Sequence, residues 1–122
     1  MSKVEEYARK LQEFEKKVEE EAKLFNIDEF LLDVDKTLEK KVEGVGIIRY
    51  KRLSFAEVME LSQKYGNDQV KFSTALVVKM LSKVDNTITL EKFEKLPPSV
   101  AIKIMNALAE ELKTDFLQIG KS

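Results

Sequence analysis

The sequence predicts a mainly α-helical fold, a helical bundle of about five helices with a long N-terminal helical arm and one short β strand or hairpin. Apolar side chains recur every three or four residues along most of the chain, which is the spacing of one face of a helix. Residues that cap helices stand at the start of several of these segments. Residues 45–53 differ, because they are rich in β-branched side chains. We therefore expect an N-terminal arm, residues 1–43, and a compact body, residues 44–122.

The composition excludes several kinds of chemistry. The 122 residues include no cysteine and no histidine, so the sequence offers no thiolate or imidazole for a zinc site or for a nucleophile–base pair. The net charge is −1, whereas proteins that bind nucleic acid usually carry a basic surplus. We predict a domain that is not an enzyme and that uses no cofactor and no metal.

Location and origin are constrained only weakly. The sequence has no apolar run long enough to span a membrane and no signal-peptide pattern, so we expect a cytoplasmic protein. Charged residues make up 35% of the chain, and lysine supplies nearly all of the basic ones. This bias is typical of proteins from thermophiles and equally of proteins from AT-rich genomes.

The arm is predicted to begin with a helix over residues 2–25. Ser2 and Glu5 match the capping box that starts many helices. Apolar side chains then recur in alternating steps of three and four, which is the spacing of a coiled-coil seam. Three heptads do not establish a coiled coil, so the arm either folds back onto its own body or pairs with a second copy. The seam residues that we expect at a self-association surface are Val4, Tyr7, Leu11 and Phe14.

A second helix is predicted over residues 26–42. Asn26 is its cap, and Phe25 and Phe30 are placed as a hydrophobic staple across that cap. Gly44 and Gly46 are expected to end the helix. Its apolar face is formed by Ile27, Phe30, Leu31, Val34, Leu38 and Val42.

Residues 45–53 are predicted to form one short strand or the two halves of a tight hairpin. A lone strand leaves its own backbone groups unsatisfied, so it must pair with another segment of the chain or with a second copy. We expect Ile48 and Tyr50 to contribute to self-association if the second copy is the partner.

Four further helices are predicted in the body. Ser54 and Glu57 form a capping box for a helix that ends at Gly66, which we expect to be a left-handed cap. Asp68 caps a helix of about 16 residues that is apolar nearly all round in its second half, so it should lie at the centre of the bundle. A short helix over residues 90–96 follows, and Pro97 and Pro98 start the last one. That last helix carries an apolar face from Val100 to Phe116.

Two segments resemble motifs that carry chemistry. Residues 30–38 resemble the first motif of haloacid-dehalogenase-type phosphatases, in which the first of two aspartates attacks a phosphoryl group; these would be Asp33 and Asp35. Lys36 stands where that motif has glycine, so we interpret the aspartates as the solvated side of a helix. Residues 85–93 resemble part of a calcium-binding EF-hand loop, but Lys92 stands where the closing glutamate belongs. We interpret that segment as a turn between helices.

Arg49, Lys51 and Arg52 surround Tyr50 and form a small basic and aromatic cluster. Such a cluster can neutralise and stack on single-stranded nucleic acid, which makes a small nucleic-acid-associated regulatory protein the alternative function. Alternating basic residues also protect the edge of a sheet from unwanted pairing.

The order of segments after residue 45 resembles that of tail assembly chaperones of long-tailed phages and related proviruses. The resemblance is carried by residues 52–58 (Arg-Leu-Ser-Phe-Ala-Glu-Val), by the apolar run 75–81 and by residues 95–99 (Lys-Leu-Pro-Pro-Ser). It implies a protein that acts without catalysis and binds apolar segments of tail structural proteins before assembly. We therefore expect a protein partner, homo-oligomerisation through the arm or the strand, and no membrane.

Overall fold

The computed structural model describes residues 3–21 and 24–112, and within the first helix it describes the side chains of residues 3–12 only. This part of the chain is mainly helical, with six helices and one two-stranded antiparallel hairpin. The elements in chain order are α1 (Lys3–Glu21), α2 (Ile27–Val34), β1 (Thr37–Val42), β2 (Gly46–Lys51), α3 (Phe55–Tyr65), α4 (Gln69–Ser82), α5 (Leu90–Glu94) and α6 (Pro98–Leu112).

The hairpin is the largest difference from the predicted fold. The helix predicted over residues 26–42 was wrong in its second half, because α2 ends at Val34 and residues 37–42 form β1. β1 pairs with β2 in an antiparallel register that sets Leu38 opposite Tyr50 and Lys40 opposite Ile48. The partner that the predicted strand required is therefore the preceding segment of the same chain. The hairpin also crosses residue 43, where we placed the end of the arm.

Of the two glycines that were expected to end a helix, Gly44 lies in the turn of this hairpin and Gly46 begins β2. The Val45 amide donates to the Val42 carbonyl at 3.0 Å and closes the turn. Gly44 has a φ of +80°, a conformation that glycine adopts without the steric cost of a side chain. A turn with this backbone geometry brings the two strands back alongside each other.

The centre of the core is α4, as predicted. Its side chains from Ala75 to Val78 are buried, and so are Met80 and Leu81. The hairpin packs on α4 through Tyr50, and α5 and α6 pack around it through buried apolar residues. The buried residues that these other elements contribute are Tyr50, Phe93, Ile104 and Leu108.

The predicted helix starts in the body are confirmed. Ser54 Oγ accepts from the Glu57 amide at 3.2 Å, and Glu57 Oε1 accepts from the Ser54 amide at 2.8 Å, which completes the capping box. Asp68 caps α4 by accepting from the Lys71 amide at 3.1 Å. Pro98 is the first residue of α6. Phe116, the last residue of the predicted α6 face, lies outside the described residues.

Gly66 does not have the left-handed conformation that we predicted. Its φ is −61°, in the right-handed region, and its amide donates to the Ser62 carbonyl at only 2.7 Å. A Cβ at this position would lie 2.3 Å from the same carbonyl oxygen. The requirement for glycine therefore comes from a close approach of backbone atoms rather than from a positive φ.

Candidate functional site

An open cleft of about 600 Å³ lies between β2 and the segment that runs from the end of α4 to α5. Its floor is formed by three buried core residues, Leu81, Phe93 and Ile104. Ile47 lies at its edge on β2 and is 67% exposed. Exposure of a large aliphatic side chain next to the core leaves an apolar surface that a partner can cover. The remaining apolar wall residues are Ile48, Val84, Ile88 and Leu96.

Charged residues of the cleft are Arg49, Asp85 and Lys92. Arg49 is already engaged, because its Nε lies 3.0 Å from Glu39 Oε2 on β1. Asp85 Oδ1 accepts hydrogen bonds from the Thr87 hydroxyl at 2.6 Å and from the Thr87 amide at 3.1 Å. These two bonds hold the pKa of the Asp85 carboxyl below its usual value. The segment that resembles an EF-hand loop is thus a turn closed by Asp85, as we interpreted it.

A second cavity of about 550 Å³ lies on the other side of α5, between α4 and α6. Phe93 and Leu96 line both spaces. Val70 and Ile102 are its most exposed apolar residues, at 78% and 57% exposure. Because these two exposed apolar residues do not line the first cleft, they can serve as controls for ligand binding at other apolar surfaces.

The predicted self-association residues lie in different surroundings. Val4, Tyr7 and Leu11 are exposed on α1, at 77%, 71% and 48%. The side chain of Phe14 lies outside the described part of the chain. Ile48 is half-buried and lines the cleft. Tyr50 is 2% exposed and belongs to the core, so its ring is not at the surface of the single chain.

The alternation along the strand predicts that Ile48 and Tyr50 share one face, which is either a self-association surface or part of the core. With Leu38 opposite it, Tyr50 lies on the face of the hairpin that packs on α4 and α6. Its hydroxyl donates to Glu111 Oε1 at 3.2 Å, which satisfies the only polar group of the side chain. An aromatic ring with a hydrogen-bonded hydroxyl is well suited to such a position.

The environment of Tyr50 predicts a loss of stability in alkali. Burial, together with the charge of Glu111, raises the pKa of Tyr50 from 10.0 to about 12. Between these values the unfolded chain loses the phenolic proton and the folded chain retains it, so the free energy of unfolding falls as the pH rises from 10 to 12. The stability advantage of wild type over Tyr50→Phe, about 1 kcal/mol near neutrality, should therefore shrink across this range. Urea titrations of both proteins at several pH values measure it, and a constant difference would contradict the prediction.

Arg52, the last residue of the basic cluster, forms ion pairs with acidic residues of two helices. Arg52 contacts Asp33 of α2 through one terminal nitrogen, and its Nε lies 3.4 Å from Glu111 Oε2 of α6. These contacts link α2, the end of β2 and the end of α6. Asp33 and Asp35 both lie on exposed positions, as the helical interpretation of this segment expected. Among the described residues, no group of three or more acidic side chains is arranged to hold a metal ion.

A second apolar surface lies on α2 and on the two residues before its cap, and we name it the α2 face. It includes Ile27, Phe30 and Leu31 of the apolar face that was predicted for the second helix. Each of its large side chains is more than half exposed. Phe25 and Phe30 stack on each other with ring centroids 5.7 Å apart, which confirms their predicted proximity across the cap. The α2 face is formed by Leu24, Phe25, Ile27, Phe30 and Leu31.

Comparison with models of protein families, with curated proteins and with solved structures found no match to this chain. Within residues 3–21 and 24–112, none of the helices combines the length and the apolar character that crossing a bilayer requires.

Proposed function

We propose that this chain is a non-enzymatic protein-binding domain that holds an apolar segment of another protein in the cleft beside β2, in the manner of a virus or provirus tail assembly chaperone. The proposal includes self-association of the chain. The observation that carries it is the cleft itself, a space of about 600 Å³ that is lined by core residues and by the exposed Ile47.

The chemistry of the cleft favours a segment of protein over a small metabolite. Sites for small molecules place a few polar groups deep among apolar walls, where they fix the orientation of the ligand. Here the floor residues Leu81, Phe93 and Ile104 are all apolar. An extended apolar segment requires only such a surface, because its specificity comes from the spacing of its side chains.

The position of β2 provides a second argument. Three consecutive residues of the strand, from Ile47 to Arg49, line the cleft. Within the described residues β2 pairs with β1 alone, so its other edge has no strand partner there. An extended segment that lies in the cleft is therefore placed next to backbone groups with which a strand can pair.

The absence of catalysis is part of the proposal and rests on the sequence and on the surroundings of the acidic residues. The chain has no histidine or cysteine to act as base or nucleophile. Asp33, which the phosphatase-like interpretation would make the nucleophile, is ion-paired with Arg52. A carboxylate held by a guanidinium is a weaker nucleophile than a free one.

The alternative, a nucleic-acid-associated regulator, has less support. It depended on the basic residues Arg49, Lys51 and Arg52 and on an exposed Tyr50 ring. Both arginines are in ion pairs with carboxylates, and Tyr50 is buried. Stacking on a base requires an accessible ring, and phosphate contacts require accessible positive charge.

A labelled peptide tests the proposed function. The probe is a fluorescein-labelled peptide of alternating leucine and serine, and fluorescence anisotropy reports its binding. Replacing Ile47 with glutamate places a charge at the edge of the cleft, while Lys41 opposite it in the hairpin can pair with that charge and preserve the strand. We expect Ile47→Glu to weaken binding by about tenfold or more, the effect of losing one buried aliphatic contact.

The control is Phe55→Glu, which removes a side chain that is 78% exposed on α3, away from the cleft. This variant should bind the peptide as wild type does. Equal losses of binding in the two variants would indicate non-specific hydrophobic binding and would refute the proposed function. A wild-type chain that does not bind the peptide would also refute it.

A further inference from the structure

The α2 face presents more apolar surface than a monomer normally leaves in water. Its five large side chains, all more than half exposed, present on the order of 700 Å², which is close to the roughly 800 Å² that one partner contributes to a standard dimer interface. The largest apolar patch of a typical monomer is smaller, at about 300–600 Å². The area is therefore sufficient for a stable contact with another helix.

The first helix of the chain presents a surface that fits the α2 face. Val4, Tyr7 and Leu11 lie three and four residues apart on α1, so they form one stripe, and all three are exposed. All described side chains of α1, residues 3–12, are exposed in the single chain, so the stripe is not packed on the α2 face of its own molecule. Two exposed apolar helix surfaces on one chain become covered when two chains exchange them.

The charges beside these two surfaces are complementary. α1 as a whole is acidic, but residues 3–12, the segment that carries the stripe, include three basic and two acidic side chains. α2 has three acidic side chains, Asp28, Glu29 and Asp33, and no basic one. A basic α1 segment packed on an acidic α2 gains favourable interactions at the rim of an apolar contact, whereas two α2 faces packed on each other would repel.

We infer that two copies of this chain form a twofold-symmetric dimer in which the stripe Val4–Tyr7–Leu11 of each copy packs on the α2 face of the other. The arrangement is isologous, because each copy contributes the same two surfaces and receives the same two. This inference deepens the self-association included in the proposed function and assigns it to a surface separate from the cleft.

Light scattering during size-exclusion chromatography tests the inference. We expect the full chain to have about twice its monomer mass of 14.1 kDa. Phe30→Glu should weaken dimerisation by about tenfold or more, since it removes a large aromatic side chain and places a charge in the apolar contact. Phe55→Glu, the same replacement at a phenylalanine on α3, should remain dimeric. A monomeric wild type, or equal dissociation constants for the two variants, would overturn the inference.

Cysteine cross-linking identifies which helices meet, and the chain is suited to it because it contains no cysteine of its own. A mixture of the single variants Tyr7→Cys and Phe30→Cys should form a disulfide-linked species of twice the monomer mass on oxidation. Each variant alone should form much less of it. Efficient cross-linking of Tyr7→Cys alone would show that the α1 helices pair with each other. In a chain that carries both substitutions, an intrachain disulfide would show that α1 folds onto its own α2. Either result would overturn the proposed dimer.

The failure of this inference is distinguishable from the failure of the proposed function. Phe30→Glu should bind the leucine–serine peptide as wild type does, and Ile47→Glu should remain dimeric. A monomeric chain that still binds the peptide at the cleft would remove the dimer alone. Loss of peptide binding in Phe30→Glu would make the α2 face the site of the client protein, which would overturn both assignments of surface.

Discussion

Leu108→Ala should lower the free energy of unfolding by about 3 kcal/mol, within the range of about 2–5 kcal/mol that buried leucines show. Leu108 is 0% exposed and lies in the core cluster around α4. Its removal leaves a cavity that rigid neighbouring helices cannot fully close. Urea denaturation followed by circular dichroism measures the change.

Ile102→Ala is the matched control for this experiment, because it lies in the same helix and is 57% exposed. It should change the free energy of unfolding by no more than about 0.5 kcal/mol, as surface substitutions generally do. Similar losses for the two variants would mean that α6 does not present the face that the structure assigns to the core.

Lys83→Met should lower the free energy of unfolding by about 2 kcal/mol, since it leaves two groups near the interior without their donor. Lys83 Nζ donates to Glu57 Oε1 and to the Arg52 carbonyl, each at 2.7 Å. The Lys83 and Glu57 side chains are 16% and 22% exposed, so water replaces the lost interaction only in part. Lys95→Met, which removes an exposed ion pair with Glu91, should cost about 0–1 kcal/mol in comparison.

The contact between Lys83 and Glu57 also determines how the free energy of unfolding changes in acid. Burial acts to raise the pKa of Glu57, but hydrogen bonds from Lys83 and Ser54 outweigh it and hold the pKa below the ordinary value of 4.5. The contribution of Glu57 is therefore present above pH 4.5 and is lost as the pH falls through its pKa in the folded state. In Lys83→Met this acid-dependent loss should be smaller. Urea titrations between neutral and acidic pH measure it, and an unchanged slope would contradict the assignment of Lys83 as a partner of Glu57.

The body helices could be predicted from the sequence because their signals are local. Ser54 and Glu57 lie three residues apart, and the capping box that they form needs no information from elsewhere in the chain. Residues 75–81 are apolar except for Lys79, and this pattern likewise requires burial on most sides of the helix. Pro98 begins α6 because the amide hydrogen that proline lacks would have no acceptor in the first turn of a helix.

β1 could not be recognised because two residues satisfied helical spacing by coincidence. Leu38 and Val42 are four residues apart, which suits one face of a helix, and they are also on the same face of a strand. Lys40 lies between them on that inner face, where the strand pattern calls for an apolar residue. Its ammonium group donates to the Ala107 carbonyl at 2.8 Å, so the polar end of the side chain is satisfied by α6 while its stem covers the core.

The candidate site could not be read from the sequence because its residues are distant in the chain. Ile47, Ile88 and Ile104 come from three separate elements, and only the packing of the hairpin on α4 brings them to one cleft. The seam on α1 could be found because it is periodic, and its exposed residues Val4, Tyr7 and Leu11 have the predicted spacing. The face that Ile48 and Tyr50 share was predicted, but its burial could not be, since the partner strand was read as helix.

The two proposed surfaces have complementary roles. A dimer would carry two clefts, so a long structural protein with several apolar segments could occupy both at once. Binding of the second segment is then intramolecular and strengthens overall binding without any new contact. A peptide with two leucine–serine segments joined by a flexible linker should bind the dimer more tightly than a single segment does.

Methyl resonances of the isoleucines provide the most direct test that the cleft is the binding site. On addition of the leucine–serine peptide, we expect the methyl signals of Ile47, Ile48, Ile88 and Ile104 to shift, because these residues line the cleft. The signals of Ile27, on the α2 face, and of Ile102, in the second cavity, should stay in place. Shifts confined to Ile27 or Ile102, or no shift at all, would contradict the account.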